Sequence, residues 1–181
     1  MTMCALRRIE RTSVSEQPVL VVTTGGTIDK VYFDALSEFE VGQSVVGDLL
    51  RQAHVTAPFE IVEAMRKDSL ELTDSDRDAV AALIRQRPHH SVVVTHGTDT
   101  MVQTGKVLAD LVDRTIVLTG ALSPARFAQT DAVFNVGMAF AAAQTLDPGV
   151  YIAMNGQVFD ARKVRKDRDA NRFVAVDEEG S

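Results

Sequence analysis

Two short segments hold the residue types most suited to chemistry. Thr23-Thr24-Gly25-Gly26-Thr27-Ile28 follows directly on an apolar run, and His96-Gly97-Thr98-Asp99-Thr100 follows on another. A threonine hydroxyl is a weak nucleophile until a neighbouring group takes its proton. Lys166 as the base, with Asp99 orienting it, would complete such a relay. Paired glycines let the backbone approach a ligand and leave amide hydrogens exposed. Read alone, each segment has a plainer meaning: Gly25-Gly26 as a tight turn, and Thr98 or Asp99 as the cap of a following helix. A phosphate loop is disfavoured, because the pattern is neither GxGxxG nor GxxxxGK[ST] and Lys30 falls at the wrong spacing. Taken together, two such turns at the carboxyl ends of parallel strands converge on one small ligand.

The elements that must position them are legible in the hydrophobic pattern. Apolar runs at 19–22, 61–62, 91–95, 115–119 and 150–154 read as strands. Most are continuous rather than alternating, as expected for parallel strands covered on both faces. Helical periodicity occupies 43–53, 74–87 with Thr73 as its N-cap, 100–112 and 130–144. The last is apolar almost all round, which predicts burial on more than one side, part of it against another subunit. This alternation predicts an α/β fold: a three-layer, doubly wound, mainly parallel sheet with flanking helices, in one domain. Ligands in such folds bind outside the carboxyl ends of the strands. The polar signatures TTGGTI, HGTDT, TGALSP and MNGQVFDARKVRK fall there. The expected domain spans 18–176, with a flexible extension at 1–17 and a tail at 177–181.

Bulk properties narrow the partners. The 181 residues carry a net charge of -6, which argues against nucleic acid or an anionic membrane surface. No run reaches the length of a membrane span. A single cysteine, Cys4, cannot form an internal disulfide, so a reducing cytoplasm is expected. His89 and His90 lack the clustered partners of a metal site, and no metal or cofactor is expected. His96 reads as a brace for its strand end rather than as a base. The basic run 162–166 reads as a solvated hairpin face holding one functional lysine, Lys166.

TTGGTI together with HGTDTM resembles the signature pair of the bacterial-type L-asparaginases. Asp68-Ser69 with Leu72-Thr73 resembles the family's substrate-binding serine segment, and Thr119-Gly120-Ala121 with Pro124 and Asp131 resembles its next strand-end loop. Asn155, Asp160, Arg162 and Lys166 resemble the segment that ends in its catalytic lysine. The resemblance runs from 19 to 176. It implies hydrolysis of L-asparagine to L-aspartate and ammonia through an acyl-enzyme, with weaker action on L-glutamine. Thr27 would be the nucleophile, and Thr98, Asp99 and Lys166 would form the relay. Ser69 and Asp99 would hold the substrate's α-carboxylate and α-amino group. Gly26, Asp68, Gly97 and Ala121 complete the implied binding set, with backbone amides near Gly26, Thr27 and Thr98 steadying the oxyanion. Tyr32 would be the tyrosine of a closing loop.

The resemblance also marks a departure. The family's usual second domain gives an acidic residue to a neighbouring subunit's site, and this sequence stops before it. Asp34, Glu38 or Glu40 are the candidates to replace that group. A homo-oligomer is expected. Two alternatives stand beside hydrolysis. One is a non-catalytic amino-acid sensor, in which Lys166 would have no purpose. The other is an amidase subunit acting on glutamyl-tRNA, which the acidic charge disfavours.

Overall fold

The computed structural model describes residues 17–33 and 38–176. The expected extension, all but Gln17, and the tail at 177–181 lie outside the described residues. Strand β1 (Val19–Gly25) is buried along its whole length, because helices cover both of its faces. A hairpin of β2 (Lys30–Phe33) and β3 (Glu38–Val41) follows, then α1 (Val46–Gln52) and β4 (Phe59–Lys67). Next come α2 (Asp74–Arg85), β5 (Ser91–Thr95), α3 (Met101–Leu108), β6 (Thr115–Thr119), α4 (Ala132–Thr145) and β7 (Gly149–Met154). The chain then adds β8 (Gln157–Asp160) and a second hairpin of β9 (Val164–Asp167) and β10 (Arg172–Ala175).

The six-stranded sheet runs in the order β4-β1-β5-β6-β7-β8. All its pairings are parallel except β7 with β8. Alternate residues serve two cores. Leu20, Val22, Val92, Val94, Ile116 and Leu118 meet Val80 and Ile84 of α2 and Met101 and Leu108 of α3. Val21, Val93 and Val117 face the other way, onto Val46 and Leu50 of α1 and Ala132, Val136 and Ala139 of α4. Each buried aliphatic side chain contributes ~1.5–3 kcal/mol relative to exposure, so both faces hold the central strands in register. This is the expected three-layer, mainly parallel architecture.

The order places a switch point at the site. From β1 the chain steps to β4 on one side, then returns to β5 on the other. The crevice between the carboxyl ends of β1 and β5 is where an open α/β sheet takes its ligand. Both threonine turns emerge there.

Local chemistry explains most boundaries. Thr73 caps α2 as expected, in a reciprocal box: its hydroxyl accepts from Asp76 N at 3.3 Å and Asp76 Oδ2 accepts from Thr73 N at 2.9 Å. The cap of α3 is Thr100, not Thr98 or Asp99, so the plainer reading of those two does not hold. Along α4, Ala132, Val136, Ala139, Phe140 and Ala143 are buried, while Phe134 is 64% and Val133 49% exposed. No helix among the described residues is long and apolar enough to cross a membrane.

Candidate active site

Gly26 carries φ 90°, a conformation that costs glycine little. A Cβ built on it would lie 2.4 Å from the Gly97 nitrogen and 2.5 Å from the Gly97 Cα. The two turns therefore touch through bare backbone, and Thr27 and Thr98 are each one residue beyond the contact. Gly97 in turn abuts Ser69, whose Cβ and Oγ would both stand 2.6 Å from an added Cβ. Any side chain at either glycine would push these segments apart.

Hydrogen bonds lock the same segments. Thr24 Oγ1 donates to Thr95 O at 2.9 Å, and Gly26 N donates to Lys67 O at 3.0 Å. Thr100 Oγ1 donates to Ser69 O at 2.7 Å. Ala125 N donates to Ile28 O at 3.0 Å, which seats the β6 loop on the β1 turn. Asp131 holds that loop from the start of α4, accepting from Leu122 N at 3.0 Å and Ser123 N at 3.1 Å, while Asn135 Nδ2 bonds both Asp131 and Gly120 O. Ala121 sits inside this clamp, 1% exposed. Asp29 ties the base of the first hairpin: its carbonyl accepts from Gly42 N and its Oδ1 from Val45 N. Burial pushes that carboxyl above the usual range.

The lysine comes from the last hairpin. Lys166 Nζ donates to Thr98 Oγ1 at 2.7 Å and to Asp99 Oδ1 at 2.9 Å. Thr98 is 5% exposed, and the Lys166 side chain 12%. The β9–β10 hairpin is held by Val164 and Phe173, both in the core, and by Asn155 Oδ1, which accepts from Phe173 N at 2.8 Å. The hydroxyl of Thr27 is half-buried and has no hydrogen-bond partner among the described residues.

His96 lies beneath this group, fully buried. Its Nδ1 is 2.7 Å from Gly97 O, a carbonyl that cannot donate, so Nδ1 carries the proton. Nε2 then accepts from Thr104 Oγ1 at 2.7 Å. Burial pushes the imidazole down to about 4, so the ring is neutral and braces the turn. Thr104, one turn of helix after Thr100, was missed in the sequence, although that spacing puts both on the face of α3 that meets the strand ends.

Thr27, Thr98, Asp99, Lys166, Ser69, Gly26, Gly97 and Ala121 thus lie on five strand-end or hairpin segments around one crevice. Asp68 is placed differently. Its Oδ2 pairs with Lys30 Nζ at 2.7 Å and its Oδ1 accepts from Leu70 N at 3.1 Å. Burial alone would raise its carboxyl, but these bonds outweigh it and hold it below the ordinary value. It lines a cavity with Lys30, Glu40, Arg66 and Glu71, and its side chain caps the turn at Ser69–Glu71. The backbone of Tyr32 lies in β2, opposite Phe39; its side chain is outside the described residues, as are those of Asp34 and Glu38. Among the described residues no group of three His, Cys, Asp or Glu could hold a metal. Chemically, a half-buried lysine shared by a hydroxyl and a carboxylate can move a proton, and a second hydroxyl one backbone contact away can receive an electrophile.

Comparison with known proteins agrees with this layout. The family profile described as "Asparaginase, N-terminal" matches residues 18–179. The glutaminase-asparaginase of Acinetobacter glutaminasificans is 29% identical over 177 residues, covering 90% of this chain and 54% of that protein. The L-asparaginase of Thermococcus kodakarensis is 27% identical over 160 residues, covering 82% and 47%. The solved structure of the thermostable L-asparaginase from Thermococcus kodakarensis superposes with a TM-score of 0.76 at 25% identity, covering 88% of this chain and 51% of that one. The chain therefore spans about half the length of the curated relatives it matches. With the sheet order, the paired threonine turns and the profile match in accord, the chain belongs to the asparaginase family.

Proposed function

We propose that this chain hydrolyses the side-chain amide of L-asparagine, with L-glutamine a poorer substrate. The observation that carries the reading is Lys166 Nζ, 2.7 Å from Thr98 Oγ1 and 2.9 Å from Asp99, beside a turn that presents Thr27. The Thr27 hydroxyl attacks the amide carbon, its proton passes to the leaving nitrogen, and ammonia departs from an acyl-Thr27 ester. Water then adds to the ester, releasing L-aspartate and restoring the hydroxyl. The Thr98–Lys166–Asp99 relay carries protons in these steps, and amides near Gly26, Thr27 and Thr98 face the oxyanion. Ser69 and Asp99 hold the substrate's α-carboxylate and α-amino group. Selectivity between the two amides rests on about one methylene, so it amounts to roughly 1–3 kcal/mol.

The test is ammonia release by the purified chain from L-asparagine and L-glutamine, beside Thr27→Ala and Lys166→Met. Turnover in wild type and loss of roughly 10²-fold or more in both variants supports the reading. A wild type that binds L-aspartate yet releases no ammonia replaces it with an amino-acid sensor. We place the chain in the reducing cytoplasm, on the strength of its single cysteine. A homo-oligomer is part of the same reading, because α4 leaves Val133 and Phe134 exposed. Sedimentation as a 19.7 kDa species alone would refute it.

A further inference from the structure

The basic hairpin has a feature that amide hydrolysis does not use. A cavity of about 230 Å³ opens between α3 and the β9–β10 hairpin, lined by Asp99, Val102, Gln103, Lys106, Arg165, Lys166 and Arg168. Four cations thus face one carboxylate, and Lys166 already pairs that carboxylate. Lys106, Arg165 and Arg168 are exposed and make no ion pair or side-chain hydrogen bond among the described residues. The chain as a whole carries a net charge of -6, so a concave cluster of one sign is a local exception. Such a concavity concentrates anions, and guanidinium groups bind phosphate oxygens in a fixed fork. Lys166, which lines it, also donates to Thr98.

We propose that this cavity binds a phosphate-bearing anion, and that its occupation slows the reaction at Thr27 and Thr98 by competing with Thr98 Oγ1 for the Lys166 Nζ. An anion held by the exposed cations is a strong acceptor for the same Nζ, and a charge-assisted bond to it draws the lysine from the Thr98 hydroxyl. The charged groups lining the cavity with Lys166 are Asp99 from the β5 turn, Lys106 from α3, and Arg165 and Arg168 from the hairpin. The kinetic half of this rests on the proposed amidohydrolase reading; the binding half does not.

Titration calorimetry of the full chain with pyrophosphate, orthophosphate and chloride at matched ionic strength tests the binding half. Saturable binding of pyrophosphate is expected, weaker by roughly tenfold or more in Lys106→Gln/Arg168→Gln, while chloride gives none. Orthophosphate matching pyrophosphate points to free phosphate as the ligand; a preference for pyrophosphate points to a di- or polyphosphate group. No saturation, or equal binding by the double variant with an unchanged melting curve, overturns the site. Ammonia release is then followed with and without pyrophosphate. A fall in kcat in wild type, absent in the double variant at unchanged basal rate, supports the coupling. Saturable binding with unchanged kcat overturns the coupling. A wild type with no ammonia release in either condition fails the proposed function and leaves the calorimetry to decide the site.

Discussion

Acidification should weaken this protein through His96, and the size of the effect follows from its surroundings. His96 is 1% exposed, with Nδ1 at 2.7 Å from Gly97 O and Nε2 at 2.7 Å from Thr104 Oγ1. Burial holds its pKa at about 4, against 6.5 for the free imidazole. The native state therefore excludes a proton that the unfolded chain binds between those values. Stability from this source is complete above pH 6.5, falls as pH drops, and is spent at about pH 4. The total is about 3 kcal/mol. Other groups act too. Asp68 and Asp76 sit below their ordinary values and lose stability at lower pH, and buried Asp29 has the opposite sign. Comparing wild type with His96→Gln removes these contributions, because they are common to both. Urea unfolding at pH 7.5 and at pH 4 should show wild type losing about 3 kcal/mol more than the variant over that interval. Equal losses would refute the argument and mean that the ring takes up a proton in place.

Three further outcomes follow from contacts at the site. Gly26→Ala sets a Cβ 2.4 Å from the Gly97 nitrogen at φ 90°, so it should cost at least about 2 kcal/mol in urea unfolding and abolish ammonia release; a stable, active variant would mean the turns do not meet as described. Asp131→Ala removes bonds to Leu122 N, Ser123 N and Asn135, and should cost about 2 kcal/mol and raise KM, since the Ala121 loop loses its anchor; an unchanged KM would detach that loop from substrate binding. Thr73→Ala removes the hydroxyl that caps α2, which touches no residue of the proposed relay, and should cost about 1 kcal/mol with kcat unchanged, read by thermal melting beside ammonia release.

Much of this architecture was legible because burial and periodicity agree in the central strands. Residues 91–95 and 115–119 are continuous runs dominated by β-branched residues, and the strands match them end to end. β4 was legible only at 61–62, though it spans Phe59–Lys67. It is an edge strand, paired only with β1, and Glu60, Glu63 and Arg66 interrupt its apolar pattern. The helical expectations overran their ends: 100–112 became Met101–Leu108, because periodicity continues through the turn that holds Leu111. β8 was not recognised, yet its signal was present. Asn155 and Gly156 both take positive φ, at 54° and 75°, as a two-residue hairpin turn requires. At the site, the threonine turns and Lys166 could be named from residue type and family resemblance. The fate of Asp68 could not, since Lys30 reaches it only through the folded hairpin.

The groups around the crevice do not share one mechanical fate. The threonines and Ser69 sit in turns that follow strands of the six-stranded sheet. Lys166 rides a separate two-stranded hairpin, a unit with little stability of its own, moored by Val164, Phe173 and the Asn155 bond. Release of those moorings carries the lysine away while the rest of the crevice stays assembled. Competence for proton transfer then depends on the docking of that ribbon as well as on the integrity of the sheet. Under the proposed reading, ammonia release should therefore fail at a lower urea concentration than the unfolding of the core.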